Sequence, residues 1–183
     1  SSSGTSASTG SKDVAQPVRL YQLVGEGLPD RFPPPRTLAA RMDSLPPPLT
    51  SFIGRDELAD GGRLLSGTRL LTLTGPGGTG KTRLALELAR EASDDFPDGV
   101  SFVPLDAIRD PELVPSAITT ALGLGEGSAS AGGPTARLVD YLRDRSMLLV
   151  LDNFEQVVEG ASVVADLLRS AARTKVIATS RIP

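Results

Sequence analysis

The sequence predicts an α/β domain built on a parallel sheet with helices on both faces. Three observations carry this. A short, β-rich run bounded by glycine occurs at Leu70-Leu71-Thr72-Leu73-Thr74, and an unbroken apolar run at Met147-Leu148-Leu149-Val150-Leu151. Amphipathic stretches of helical period lie between such runs, and glycine or proline punctuates each change of period. Continuous apolar runs fit strands buried on both sides, as parallel sheets are when helices cover both faces.

Residues 1–15 are dominated by Ser, Gly, Thr and Ala, too little apolar surface to offset the entropy of ordering, so disorder is expected there. Residues 16–48 follow, with one short strand around Val18, Leu20 and Leu23, then a Pro-rich connector ending in Pro46-Pro47-Pro48. Consecutive prolines hold an extended, semi-rigid form that suits a spacer between modules. The remaining unit, 49–183, carries the sheet. A helix is expected after Asp56-Glu57-Leu58, weakened by Gly61-Gly62. The strand at Leu70 to Thr74 feeds a Gly-rich loop. Leu84, Ala85, Leu88, Ala89 and Ala92 then give one helix face, and Val100 to Leu105 a second strand.

Asp110-Pro111-Glu112 has an N-cap residue before a proline at the first helical position, with Leu113, Ala117, Ile118, Ala121 and Leu122 continuing at helical spacing. A flexible loop is expected over Gly123 to Gly133 and a helix over Thr135 to Asp144. The run Met147 to Leu151 is the third strand. Val163, Val164, Leu167, Leu168 and Ala171 mark a further helix, and Lys175 to Thr179 a fourth strand.

Composition narrows the chemistry. The 183 residues contain no cysteine and no histidine, which removes thiol and Ser-His-Asp catalysis and leaves oxygen ligands for any metal, as magnesium prefers. A net charge of -3 argues against direct nucleic-acid binding by this chain. No apolar stretch approaches a membrane span and the Ser/Gly-rich start lacks the features of a signal peptide, so a cytoplasmic setting with no membrane partner is expected.

The segment Gly75-Pro76-Gly77-Gly78-Thr79-Gly80-Lys81-Thr82 satisfies G-x-x-x-x-G-K-[ST] between an expected strand and an expected helix. Glycines let the backbone curl so that N–H groups face phosphate oxygens, and the helix starting near Gly80 adds its positive end. Lys81, one of only three lysines beside Lys12 and Lys175, belongs at the β- and γ-phosphates, and the Thr82 hydroxyl at magnesium. The expected ligand is therefore a nucleoside tri- or diphosphate with Mg2+, on a P-loop NTPase core.

Asp152 follows the third strand, which brings its carboxylate to the sheet edge where the phosphate loop lies, as a second magnesium contact. Asn153 stands where many P-loop ATPases carry a carboxylate that polarises water, and an amide cannot take that proton. Two readings are open for Glu155: a substitute base, or a solvated residue at a helix start. Two are open for Arg181 as well, a charge-assisted contact to a γ-phosphate or a surface arginine.

Four elements in order give a closer likeness: Pro48-Leu49-Thr50-Ser51-Phe52-Ile53-Gly54-Arg55, the stretch Leu71 to Ala85 with its loop, Leu149-Val150-Leu151-Asp152-Asn153-Phe154-Glu155, and Ala178-Thr179-Ser180-Arg181. Together they resemble the nucleotide-binding core of the STAND ATPases of bacterial signalling proteins, relatives of the NB-ARC switches. The resemblance implies that Phe52, Ile53, Gly54 and Arg55 lie against adenine, that Gly75 to Arg83 hold the phosphates, and that Arg181 senses the γ-phosphate. It also implies an ADP-closed, ATP-opened switch of slow or absent hydrolysis.

Such proteins continue past Thr-Ser-Arg into a helical lid, a winged-helix subdomain and output modules. This sequence ends at Pro183, so the expectation is a core truncated before them, with weak affinity and little turnover. The stretch Pro17 to Leu38 resembles the last strand and exit of a class III nucleotidyl cyclase domain, without its catalytic residues. Three functions compete in this order: an ATP/ADP signalling switch, a hydrolysis-competent ATPase or nucleotide kinase, and a degenerate fragment that binds nothing.

Overall fold

The structure, a computed structural model, describes residues 6–9, 18–21, 45–47, 54–124 and 132–182. Near the start, strands β1 (Ser6–Thr9) and β2 (Val18–Tyr21) pair antiparallel, with Ser6 opposite Tyr21 and Thr9 opposite Val18. The strand around Val18 is as expected. Ser6–Thr9 departs from the disorder expected over 1–15, because main-chain N–H and C=O groups join a two-stranded ribbon whatever the side chains carry. The rest of that segment, most of residues 22–48, and residues 125–131 of the stretch expected to be a loop lie outside the described residues.

Helix α1 (Arg55–Gly67) runs through the glycine pair that was expected to weaken it. The reason is packing: a Cβ on Gly61 would sit 2.8 Å from Leu88 Cδ1, so glycine is what lets α1 approach the next helix, whereas Gly62 faces open space. Strand β3 (Leu70–Thr74) follows, then α2 (Lys81–Glu91), β4 (Val100–Pro104), a 3-10 turn at Pro111–Leu113, and α3 (Val114–Ala121). Asp110 caps that turn by accepting from Glu112 N–H at 2.9 Å. The chain closes with α4 (Gly133–Leu142), β5 (Leu148–Asp152), a 3-10 segment at Phe154–Gly160, α5 (Ala161–Ser170) and β6 (Lys175–Ser180).

Strands β3 to β6 form one parallel sheet in the order β3-β6-β5-β4. From β3 the chain crosses to the far edge through α2, then works back, so its first and last strands become neighbours. Right-handed crossovers in opposite directions put their helices on opposite faces. The two cores agree. Leu65, Ala85, Leu88 and Ala89 pack with Leu148, Val150 and Ile177 on one face. Ile118, Leu138, Leu142, Val164 and Leu167 pack with Leu149, Leu151 and Val176 on the other. Every residue of β5 is buried, which is why its sequence is an unbroken apolar run up to Asp152. The connector also touches the domain: Leu45 packs against the first core and the Arg90 guanidinium donates to the Pro46 carbonyl.

This topology fixes the site. Where a chain reverses its direction of travel across an open α/β sheet, a crevice opens beyond the carboxyl ends of the strands. Here that edge carries the loop after β3, Asp152 at the end of β5, and Ser180-Arg181 at the end of β6.

Candidate functional site

The loop after β3 is shaped by its glycines. Gly75, Gly78 and Gly80 have φ of +149°, +79° and +85°, values that side chains rarely adopt, and an added Cβ at Gly78 or Gly80 would meet nothing within 4 Å. The concave backbone is therefore open. The first bond of α2 runs from Leu84 N–H to Gly80 C=O at 2.8 Å, and the N–H groups of the helix's first turn have no intrahelical acceptor behind them. They and the helix dipole favour an anion at this point.

Lys81 is folded over the loop. Its ammonium donates to the carbonyls of Gly75 and Pro76, at 2.7 Å each, and lies 3.5 Å from Thr79 Oγ1. The Thr79 hydroxyl donates in turn to Pro76 C=O at 2.9 Å. A phosphate would offer this ammonium stronger, charged acceptors in place of neutral carbonyls.

The Thr82 hydroxyl donates to Asp152 Oδ1 at 2.7 Å, and the Thr179 hydroxyl donates to the same oxygen at 2.6 Å. Thr179 Oγ1 also accepts from Asn153 N–H at 3.0 Å. The Asp152 carboxylate, 7% exposed, is thus fixed from two strands and a helix. Thr179 was legible in the sequence only as the end of the fourth strand and part of the Ala178-Thr179-Ser180-Arg181 element. Its role depends on the register of β5 on β6, which sets Leu151 opposite Ala178 and leaves Asp152 level with Thr179.

Asn153 takes a left-handed conformation (φ 60°, ψ 44°), turning the chain sharply out of β5 into the 3-10 segment. Asparagine is among the few side-chain-bearing residues that do this readily. Glu155 then comes back to β6: Arg181 N–H donates to its Oε2 at 3.2 Å, and Arg181 Nε lies 3.1 Å from Oε1. Neither pairing is visible from spacing along the chain.

Two recesses flank the loop. One of about 600 Å³ is lined by Gly54, Glu57, Thr72, Thr74, Gly78 to Lys81, Arg83 and Leu84. The other, of about 330 Å³, is lined by Gly77, Gly78, Gly80 to Arg83, Asn153, Thr179 and Arg181. Gly54 therefore borders the first recess, while Arg55 lines a separate hollow with Leu58, Ala59, Glu87 and Glu91. Phe52 and Ile53 lie outside the described residues. Glu57, Thr72 and Thr74 are lining residues to which the sequence pattern assigned no site role, only a helix start and the strand before the loop.

The profile of a family described as an AAA domain matches residues 63–179, which contain the phosphate loop, Asp152 and Thr179. The chain belongs to the AAA domain family. Within this AAA-domain chain, 134 residues are 40% identical to an uncharacterized protein of Mycobacterium tuberculosis, covering 72% of the chain and 34% of that protein. Another M. tuberculosis protein, named as a proposed HTH-type transcriptional regulator, is 36% identical over 66% of the chain and 13% of its own length. The regulatory protein AfsR of Streptomyces coelicolor is 31% identical over 80% of the chain and 16% of its own length. The chain thus spans about a third or less of these relatives.

Among solved structures, Cdc6p from Pyrobaculum aerophilum superposes with a TM-score of 0.56 at 22% identity, covering 73% of the chain and 40% of Cdc6p. That likeness establishes the same fold: a P-loop α/β domain with a parallel four-stranded sheet and flanking helices. No helix among the described residues is long and apolar enough to cross a membrane.

The residues fit a nucleotide with magnesium. The loop is an open, glycine-lined cradle under an ammonium and a helix start, and the hydroxyl of Thr82 sits on a buried carboxylate. Among the described residues no three or more acidic, His or Cys side chains gather to hold a metal alone. Magnesium in such sites needs no such cage, since one or two carboxylates plus phosphate oxygens and waters complete its shell.

Proposed function

We propose that this AAA domain is the ATP/ADP-binding switch module of a larger regulatory protein, holding Mg-ATP with slow or no hydrolysis. The observation that carries the reading is the convergence of Lys81, Thr82, Asp152 and Thr179 on the phosphate loop at one sheet edge. Lys81 and the loop N–H groups would bind phosphates, and Thr82 and Asp152 would hold magnesium. The metal, when bound, neutralises phosphate charge. Gly54 and the recess beside it would take the base.

Slow hydrolysis is supported by Asn153. An amide at this position supplies no proton acceptor, and its backbone serves a left-handed turn instead. The regulatory setting is supported by the names of the mycobacterial regulator and of AfsR, and by the small share of each that this chain covers. The motif order further supports membership among the STAND ATPases related to NB-ARC switches. In that setting the switch acts on additional domains of the longer protein, without contacting nucleic acid or membrane itself. Residues 17–38 enter the same reading as the exit of a cyclase-like domain, with Val18–Tyr21 as its strand.

Single-turnover phosphate release tests the hydrolysis half. The expected outcome is ATP bound and recovered intact over many times its dissociation time. Rapid release in the wild type that is lost in Glu155→Gln would instead make Glu155 the base and the chain a competent ATPase.

A further inference from the structure

Arg181 stands between two anion positions. On one side is Glu155, whose side chain is 9% exposed against 62% for Arg181. The carboxylate takes the Arg181 backbone N–H on Oε2 and has the guanidinium Nε 3.1 Å from Oε1. Oε1 itself is buried and accepts no aligned hydrogen bond, so the guanidinium compensates its charge by proximity rather than by a directed bond. On the other side is the phosphate loop: a Cβ on Gly77 would sit 3.8 Å from the Arg181 Cζ. The same arginine lines the recess shared by Lys81, Thr82 and Asn153.

We propose that Glu155 is a specificity-determining residue that competes with the terminal phosphate of a bound triphosphate for Arg181. The inference rests on the nucleotide reading above. The Glu155 contact is made by Nε, so a guanidinium that re-aims its Nη pair at a terminal phosphate draws Nε off Oε1, and a buried carboxylate that loses its counter-charge is costly. A diphosphate, one phosphate shorter, leaves the Glu155–Arg181 pair in place. The pair therefore taxes the triphosphate alone and shifts the resting balance toward ADP, so the domain responds to ATP only when its contacts with Arg181 outweigh those of Glu155. Glu155 acts through Arg181 as a positioning residue and takes no proton in this scheme.

The test is calorimetric titration of the 183-residue chain with ATP and with ADP, both with magnesium, reading the ratio of the two Kd values. Glu155→Gln keeps the shape and removes the charge. The expected result is a shift of the ratio toward ATP of about two- to fivefold, the size of one partly exposed ion pair. Arg181→Ala should bring the wild-type and Glu155→Gln backgrounds to the same ratio. A purely structural role for Glu155 would weaken both nucleotides together and leave the ratio alone. A ratio that stays put or moves toward ADP in Glu155→Gln overturns the inference while the nucleotide reading stands. Failure of the wild type to bind either nucleotide overturns the nucleotide reading, and this inference with it.

Discussion

The Thr82 hydroxyl, in the first turn of α2, donates to Asp152 Oδ1 at the end of β5 across 2.7 Å. The bond ties the phosphate loop's helix to an inner strand of the sheet and pairs the two oxygens that would face magnesium. Asp152→Asn keeps a carbonyl-type acceptor for Thr82 and Thr179 but removes the charge. The expected outcome is a loss of about 1–3 kcal/mol in urea unfolding, since bonds to a charged acceptor contribute about 1.5–3 kcal/mol each and the neutral bonds that replace them about 1 kcal/mol. Nucleotide affinity in the variant should become nearly the same with magnesium and with EDTA, as measured by titration.

Gly61 and Gly62 are adjacent and should respond in opposite directions. A methyl at Gly61 meets Leu88 Cδ1 and Cδ2 at 2.8 and 2.9 Å, and Leu88 is 1% exposed, so Gly61→Ala should cost about 1–3 kcal/mol through overpacking. Gly62→Ala meets nothing within 4 Å and should gain up to about 1 kcal/mol in helix propensity. Thermal melts of the two variants should therefore shift down and up respectively.

Asn153 carries the only positive φ outside glycine among the described residues. Asn153→Gly should change stability by no more than about 0.5 kcal/mol, because glycine enters the left-handed region freely. Asn153→Val should lose about 1–2 kcal/mol, the cost of a Cβ there, with its branched side chain adding to the strain. Denaturant midpoints at equal m-values check both.

The sequence made the local features plain and hid the ones set by register. The phosphate loop is eight consecutive residues in which Gly75, Gly78 and Gly80 take positive φ, so pattern and backbone coincide at those positions. Asp152 was equally legible, because a strand buried on both faces must be apolar until its end reaches the crevice. The link from Thr179 to Asp152 and the pair Glu155–Arg181 span 27 and 26 positions. They exist only once β6 has been laid beside β5. Gly61 looked like a helix breaker because propensity sees only the chain's own backbone, not Leu88 on the next helix. Phe154–Gly160 bends at Val157 and has no single period, so it left no helical signature to read.

Lys81 is the residue on which the functional account turns, since its ammonium already lies over the loop carbonyls of Gly75 and Pro76. The most direct measurement is equilibrium titration of ATP and ADP, with magnesium, into the wild type and into Lys81→Ala. The expected result is saturable binding of both nucleotides by the wild type and a loss of at least about tenfold in Lys81→Ala, the equivalent of about 1.4 kcal/mol. Equal binding by the two proteins, or none by the wild type, would contradict the account.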